Sequence, residues 1–271
     1  MKKLLIVSLF TATVFGTNAQ EAAEKNIQAG LTLGTGLIFT NPETQLIDNK
    51  GVGASQIVGM GFDWHFLSNI ALSTGIEFDF DRYRYTFNEG VFLDYNDKDI
   101  LRKRDDIAQR NSFQVLERRT RTVYTTIPTM LKFQTNFLGY FRYFGRFGLR
   151  NSFLLSSRAD LDGFMVNSDN SIGSAGELDD MKLSRDVSFY KGSAGLTGGA
   201  EWNFSGGTSL VGELGYYLGF TNIHNGDRSI GDPDENKNLY STTDLADFDS
   251  RTYRVAAARQ GLLVLKVSLL F

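Results

Sequence analysis

Apolar residues occupy every second position in the last eleven residues of the chain, whose sequence is GLLVLKVSLLF. One face of this stretch carries Leu263, Leu265, Val267, Leu269 and Phe271. A period of two over about ten residues is typical of a β-strand, and a tilted strand of that length crosses a lipid bilayer. Because a strand with an unpaired edge promotes aggregation, we expect this strand to pair on both sides. We therefore predict a closed sheet in which the last strand meets the first.

The same alternation recurs along the chain and predicts eight strands. Their approximate bounds are Ile27–Phe39, Ala54–Phe66, Ile70–Phe87, Thr120–Asn136, Tyr140–Ser157, Asp186–Phe204, Ser209–Ile223 and Gly261–Phe271. Pro128 lies inside the fourth of these strands, where it removes a backbone hydrogen bond, so we predict a local β-bulge there, with an interruption of the strand as the alternative.

The connections between the predicted strands alternate between long and short. Long polar loops are expected at about 41–53, 88–119, 158–185 and 224–254, with tight turns between the other strands. This asymmetry is typical of outer-membrane barrels, which have short periplasmic turns and larger external loops. The predicted fold class is all-β, an eight-stranded antiparallel up-and-down transmembrane β-barrel. Several strands exceed the length that a bilayer needs, so we expect them to continue outside as a β-collar.

The composition agrees with this fold class. The 271 residues include 28 glycines, 3 prolines, 22 phenylalanines and 11 tyrosines. A mean hydropathy of −0.20 excludes a bundle of membrane helices but is compatible with a barrel, whose strands are only half apolar. The formal net charge of −3 shows no bias toward nucleic acid, and without cysteine there is neither a disulfide nor a thiolate metal site.

The first residues resemble a secretory signal peptide. Lys2 and Lys3 precede an apolar run from Leu4 to Phe15, and small residues follow at 17–19. We predict that residues 1–19 are removed on export and that residues 20–271 form the barrel domain. The expected location is the outer membrane of a Gram-negative bacterium.

The predicted inward faces carry charges of both signs in nearly equal number. We call these eleven residues the lumen charge network: Asp63, Glu77, Asp79, Lys132, Arg142, Arg146, Arg150, Lys191, Glu201, Glu213 and Lys266. They indicate either a polar conduit or ligand pocket, or a plug of ion pairs. The plug is favoured because an eight-stranded barrel is only wide enough for its own side chains, and buried charges need partners.

Other polar groups give weaker indications. Glu77, Asp79 and Asp81 share one strand face, as a metal or acid–base site would require, but any polar lumen face shows the same pattern. His65 and His224 are too few for a histidine-rich metal site, and no nucleophile-elbow spacing supports a Ser-His-Asp triad. The acidic residues of 225–249 do not match a calcium-binding loop. We therefore predict no catalytic, cofactor-binding or metal-ligating residues and no cofactor.

The stretch YTTIPTMLKF, from Tyr124 to Phe133, resembles a strand of the PorT-type outer-membrane β-barrel family of Bacteroidota. Further similarity lies in the glycine-spaced first strand at Ala29–Gly36, in SAGLTGGAEWNF from Ser193 to Phe204, and in Phe271. The resemblance implies an eight-stranded outer-membrane barrel, and one family member belongs to a protein-secretion and gliding apparatus. It also implies that Phe271 is recognised by the barrel-assembly machinery. It supplies no catalytic residues.

Three functions are compatible with these observations. The first is a non-enzymatic outer-membrane protein that is structural or docks a partner, with a plugged lumen and exposed loops. The second is an outer-membrane enzyme acting on lipid or protein at the outer rim, and the third is a small pore or a soluble ligand-binding barrel. The soluble barrel is disfavoured because the large aromatics share the face opposite the charges. The basic run Arg102-Lys103-Arg104 is expected to be solvated, with lipopolysaccharide as a candidate partner.

Overall fold

The computed structural model describes residues 27–43, 47–88, 90–103, 105, 109–183, 186–205, 207–224, 237–254 and 257–271. The predicted signal peptide and most of the acidic stretch 225–249 lie outside these residues. The described residues form fourteen strands and one short 3-10 helix, which confirms the all-β prediction. None of the helical structure in this part of the chain is long and apolar enough to span a membrane.

The strands are numbered in chain order. They are β1 Ile27–Pro42, β2 Ile47–Asn49, β3 Gly53–Leu67, β4 Ile70–Phe87, β5 Phe92–Asn96, β6 Asp99–Leu101, β7 Asn111–Gln134, β8 Phe141–Val166, β9 Ile172–Lys182, β10 Tyr190–Ser205, β11 Thr208–Gly219, β12 Leu239–Ser241, β13 Thr252–Arg254 and β14 Ala258–Leu270. The helix spans Phe248–Ser250.

All fourteen strands belong to one sheet. Antiparallel pairing runs from β1 through β3, β4, β7, β8, β10, β11 and β14, and β14 pairs with β1. The predicted contact between the last strand and the first is therefore confirmed, with Leu33 opposite Val267. The predicted count of eight strands is wrong, because the sheet has fourteen and a wider ring also passes through β5, β6 and β9.

The two ends of this sheet differ. Tight connections join β3 to β4 at Ser68–Asn69, β7 to β8, and β10 to β11, and both Ile27 and Leu270 lie at this end. We call it the turn end, and we call the opposite one the loop end. At the loop end, stretches predicted as loops are strands instead, because β7 begins at Asn111, β8 continues to Val166, and β9 follows.

The polarity of the sheet inverts between its two ends, and β4 shows this most clearly. Its inward side chains are acidic from Glu77 to Asp81 and then aromatic, with Tyr83, Tyr85 and Phe87 all buried. Its outward side chains change in the opposite sense. They are Ile76, Phe78 and Phe80, each at least 40% exposed, followed by Arg82, Arg84 and Thr86.

The buried aromatics of β4 belong to the largest apolar core of the molecule. This core gathers side chains from the loop-end parts of the long strands and from the connections above them. Its buried members are Ile47, Tyr83, Tyr85, Phe87, Val91, Leu93, Ile100, Phe113, Val115, Tyr124, Ala159, Leu161, Met181, Leu183, Val187, Ile223, Leu239 and Ala258. The loop end is thus packed like a water-soluble β-domain, apolar inside and polar outside.

The predicted bulge at Pro128 is wrong. Pro128 lies opposite Arg150 without a register shift, and the irregularities between β7 and β8 fall at Val115/Glu117 and Val123/Tyr124. Against β4, pairing stops at Thr74 and resumes at Glu77 in the same register. The missing amide hydrogen of proline therefore interrupts this ladder locally, and the strand accommodates the loss without an extra residue.

Candidate functional site

All eleven residues of the lumen charge network point into the turn-end half of the sheet. Their side chains are between 0% and 15% exposed. Each comes from an inward position of a long strand, because alternate residues of a β-strand face the same side. Asp81 joins them with a side chain that is 3% exposed, which the predicted network omitted although Asp81 has the same spacing as Glu77 and Asp79.

One part of the network lies nearest the turn end and is centred on Lys132. The Lys132 Nζ donates to Asp63 Oδ2 at 2.7 Å and lies 3.8 Å from Glu201 Oε2. Arg142 Nε donates to the same Glu201 oxygen at 2.7 Å. Arg146 completes the group, with Nη2 3.3 Å from Asp63 Oδ2 and Nη1 on Glu213.

The other part of the network is centred on Arg150, above the first group. Its Nη2 donates to Glu77 Oε2 at 2.8 Å and to Asp79 Oδ1 at 2.9 Å. Lys266, from the last strand, binds the second oxygen of Glu77. Lys191 Nζ donates to Asp81 Oδ2 at 2.6 Å and is the uppermost cation of the set.

Neutral side chains add hydrogen bonds to three of the carboxylates. Hydroxyl groups donate at 2.6 Å in three places, from Ser73 to Asp63, from Thr126 to Asp79 and from Ser55 to Asp81. Aromatic rings cover the cations: Lys191 Nζ lies 4.1 Å from the Tyr124 ring centroid, Arg150 lies 5.0 Å from Tyr217, and Lys132 lies 5.0 Å from Phe144. These contacts supply part of the hydrogen bonding and the cation–π stabilisation that desolvated charges need.

The network contains six acids and six bases once Asp81 is included, so its formal charge is zero. Small cavities lie among these side chains, and two of them have volumes of about 50 and 20 Å³. Spaces of this size hold a few water molecules at most. In the described part of the chain, no three or more His, Asp or Glu side chains are placed so that together they could hold a metal ion.

The two histidines lie outside this network and apart from each other. His65 is near the turn end of β3, opposite Ala71, as expected for a residue close to that rim. His224 is buried at the loop end, where Nε2 lies 3.2 Å from the Tyr85 hydroxyl and Nδ1 lies 3.3 Å from Asp186 Oδ2.

Asp186 joins His224 to a third charged group. Arg118 Nη1 donates to Asp186 Oδ2 at 2.8 Å, so one carboxylate oxygen links β7 to the segment before β10. Burial opposes ionisation of Asp186, but Arg118 and then His224 more than offset it and hold the pKa of Asp186 well below its ordinary value. Burial also lowers the pKa of His224, although Asp186 opposes that shift.

A second carboxylate organises the tips of the loop end. The Asp94 carboxylate accepts hydrogen bonds from Ser112 at 2.8 Å, from the Tyr240 hydroxyl at 2.7 Å and from Arg251 at 2.6 Å. Arg110 lies 3.4 Å away. These residues are far apart in the sequence, and no local pattern predicted that they would meet.

The basic run near residue 103 is partly described. Arg102 forms an ion pair with Asp105 at 3.3 Å, and the Lys103 ammonium lies 5.5 Å from the Tyr253 ring centroid. Arg104 and Asp106 fall outside the described residues, as do the acidic residues Asp227, Asp232, Asp234 and Glu235.

A sheet that closes on itself, with an apolar outward band and a charged interior, defines the class of outer-membrane barrels. The outer membrane protein beta-barrel domain family matches residues 18–225, more than half of the 271-residue chain, and the chain therefore belongs to that family. The protein is accordingly located in the outer membrane.

Solved outer-membrane proteins are similar over most of their length. OprG from Pseudomonas aeruginosa is 8% identical with a TM-score of 0.37, over 90% of this chain and 93% of its own. Ail of Yersinia pestis is 11% identical with a TM-score of 0.30, over 90% and 98%. The protease OmpT from Escherichia coli is 10% identical with a TM-score of 0.34, over 94% and 99%. At these low values nothing follows about the activity of this chain.

No curated protein matches the sequence.

Proposed function

We propose that the chain is a non-enzymatic outer-membrane β-barrel protein with a plugged interior that presents its loop end to a partner outside the cell. In this proposal β1, β3, β4, β7, β8, β10, β11 and β14 cross the membrane. The turn end faces the periplasm, and the loop end forms a folded head above the membrane. The proposal rests chiefly on the complete pairing of the twelve charges that fill the turn-end half.

The orientation is supported by the outward band of large apolar side chains. Leu33, Phe78, Leu149 and Leu214 are between 40% and 63% exposed, an arrangement that a water-soluble monomer avoids. Aromatic residues edge this band at the turn end, as in the interfacial girdles of membrane barrels. These aromatic residues are all 39–73% exposed, namely Phe66, Phe137, Tyr140, Tyr143, Trp202, Phe204 and Phe271.

The plug is supported by the balance and the packing of the network. Each cation contacts at least one carboxylate, so the network carries no excess charge that would draw ions inward. Within the fourteen-stranded sheet, the eight long strands that pair in turn from β1 to β14 enclose an interior narrow enough for side chains alone to fill. The small remaining cavities agree with an interior that does not conduct.

A non-enzymatic role is supported by the state of the carboxylates. A general base needs a free lone pair directed at substrate, whereas Asp63, Glu77 and Asp79 are each engaged by a cation and are buried. The cavities beside them are far smaller than the pockets that hold small molecules.

The partner is proposed from the folded loop end and from the resemblance to the PorT-type family. A head held by Asp94 and by the apolar core can present a preformed surface, which reduces the entropy lost on binding. From the same resemblance we propose that the chain takes part in protein export. We also propose that the barrel-assembly machinery recognises Phe271. Cross-linking in the native outer membrane, followed by identification of the attached proteins, tests the link to export.

Planar-bilayer recording of the purified, refolded protein tests the plug. We expect no stable conductance steps from the native chain, and steps from a variant in which Arg146 and Arg150 are both changed to Ala. Migration of unheated and heated samples on a gel shows in parallel whether each protein is folded. Large stable channels from the native, folded chain would overturn the plug.

A further inference from the structure

Four cations lie at the same level on the outward face of four neighbouring strands. Arg82 of β4 is directly opposite Arg121 of β7, Arg121 is opposite Arg158 of β8, and Arg158 is opposite Lys182 of β9. Directly opposite residues of antiparallel strands share a face, with neighbouring Cβ atoms about 5 Å apart. We call these four residues the cationic row.

The cationic row points away from the interior. The residues beside its members on the strands, including Tyr83, Thr122, Ala159 and Met181, are all buried. The side chains of Arg121, Arg158 and Lys182 are 47%, 36% and 47% exposed, and Arg82 is also exposed. The row therefore meets whatever surrounds the sheet at this level.

Like charges directly opposite one another destabilise a sheet unless something neutralises them. Asp160 lies 2.8 Å from Arg121, Asp180 lies 3.4 Å from Arg158, and Asp99 lies 3.4 Å from Lys182. Arg82 forms no ion pair with any residue that the structure describes. The row is thus only partly neutralised, and the compensation is weakest at β4.

The row borders the apolar band. Phe80, one outward position nearer the turn end than Arg82, is 45% exposed and pairs with Val123, which lies one outward position nearer the turn end than Arg121. On the other side, Asp160 of β8 and Asp180 of β9 lie two residues farther toward the loop end than Arg158 and Lys182. On β8 and β9 acids therefore lie beyond the cationic row, whereas on β4 and β7 the next outward residues are Arg84 and Arg119.

We propose that the cationic row binds the phosphate groups of the glycolipid in the outer leaflet, with Arg82 as the principal contact. In the proposed orientation the row lies at the level of the headgroups, where that glycolipid carries its phosphates. Guanidinium groups bind phosphate oxygens through paired, charge-assisted hydrogen bonds, and three of the four cations are arginines. The inference rests on the proposed function, because it requires the loop end to face outward.

The binding of lipid A to the full-length protein in detergent, measured by native mass spectrometry, tests this inference. The chain offers a matched control, since Arg84 and Arg119 are also opposite one another on β4 and β7 but lie one outward position farther from the band. We expect Arg82→Gln with Arg121→Gln to weaken binding about tenfold, as for the loss of charged hydrogen bonds. We expect Arg84→Gln with Arg119→Gln to change binding less than about twofold, because those positions lie beyond the proposed contact.

Two further measurements show whether the phosphate groups of lipid A account for the binding. Lipid A without its phosphates should bind the native chain and the Arg82/Arg121 variant equally, and inorganic phosphate should not displace intact lipid A. Arg82→Lys keeps the positive charge and should retain part of the affinity, and migration of unheated and heated samples on a gel shows whether each variant is folded.

Equal binding of intact lipid A by the native chain and the Arg82/Arg121 variant would overturn the inference. So would equal losses from both double variants. Insertion into vesicles, followed by protease digestion from outside, separately tests the proposed orientation. Protection of the loop end from the protease would contradict the proposed function. Cleavage of the loop end, together with unchanged lipid A binding in the Arg82/Arg121 variant, would contradict only the proposed role of the cationic row.

Discussion

Asp81 and Arg82 are consecutive on β4, yet they lie in opposite environments. The Asp81 carboxylate is buried and accepts a hydrogen bond from Lys191 at 2.6 Å, whereas Arg82 is exposed on the outward face. Below this pair the interior is charged and the exterior apolar, and above it the interior is apolar and the exterior charged. The two residues mark the level at which a membrane-facing sheet becomes a water-facing one.

Removal of Lys132 should destabilise the protein strongly. Its side chain is fully buried between Asp63 and Glu201, and Lys132→Met removes one cation while leaving both carboxylates in place. We expect the free energy of unfolding to fall by about 3 kcal/mol, which is the usual cost of removing one partner of a buried ion pair. The urea midpoint in lipid vesicles, followed by gel mobility, measures the loss.

Lys50→Met is the control for this substitution. Lys50 pairs with Glu117 at 2.6 Å, but its side chain is 51% exposed. We therefore expect a change below about 1 kcal/mol. Equal effects of the two substitutions would contradict the view that burial determines the cost.

A charge placed in the apolar band should impair insertion. Ile76 faces outward on β4 and is 45% exposed, so Ile76→Arg places a guanidinium against lipid. We expect a loss of about 2–4 kcal/mol, as for arginine on the lipid face of a membrane barrel. Thr86→Arg, on the outward face beyond Arg82, should change stability by less than about 0.5 kcal/mol. If both variants folded into vesicles equally well, Asp81 and Arg82 would not mark the boundary between the lipid-facing and water-facing parts of the sheet.

A methyl group added at Gly75 should strain the sheet. A Cβ built there would lie 2.2 Å from the Met60 carbonyl oxygen on the neighbouring strand, far inside van der Waals contact. We expect Gly75→Ala to cost about 1–3 kcal/mol, the usual range for overpacking. At Gly212, on β11, a Cβ would meet no atom within 4 Å, and Gly212→Ala should be neutral or stabilising. Thermal unfolding of the two variants provides the comparison.

Acidification should loosen the loop end in two stages. The pKa of His224 is lowered in the folded protein, so its contribution to stability is complete above about pH 6.5 and decreases as the pH falls below that value. The pKa of Asp186 is also lowered, so its contribution is present above its ordinary pKa of 3.8 and is lost below it. The groups that face these two are Arg118 and Tyr85.

Amide hydrogen exchange in residues 113–118 and 186–188 between pH 7.5 and 5 measures the first stage. We expect exchange, corrected for its intrinsic pH dependence, to increase as the pH falls below about 6.5, the ordinary pKa of histidine. His224→Gln should remove this increase while retaining a polar side chain. A variant with the same pH dependence as the native chain would show that His224 is not responsible.

Much of the architecture was predictable because strand alternation is a local property. The predicted bounds of the third strand, Ile70–Phe87, are those of β4, and those predicted for the second differ from β3 by one residue at each end. The inversion of inward and outward polarity at Asp81 and Arg82 is also visible in the sequence of β4, but it was not predicted. The strands at the loop end were missed because their outward residues, such as Arg158, Asp160 and Asp162, resemble a solvated loop.

The sequence by itself determined the inward and outward faces of the long strands and the near balance of acids and bases between them. These properties follow from a period of two, which does not depend on what surrounds the strand. The tertiary structure alone decided which charges pair, because Lys191 meets Asp81 across 110 residues and Lys266 meets Glu77 across 189. It also decided that the loop end has a core, since Leu161 is buried only where distant segments cover it. Closure of the sheet brings such residues together, and the register that closes it is a property of the whole chain.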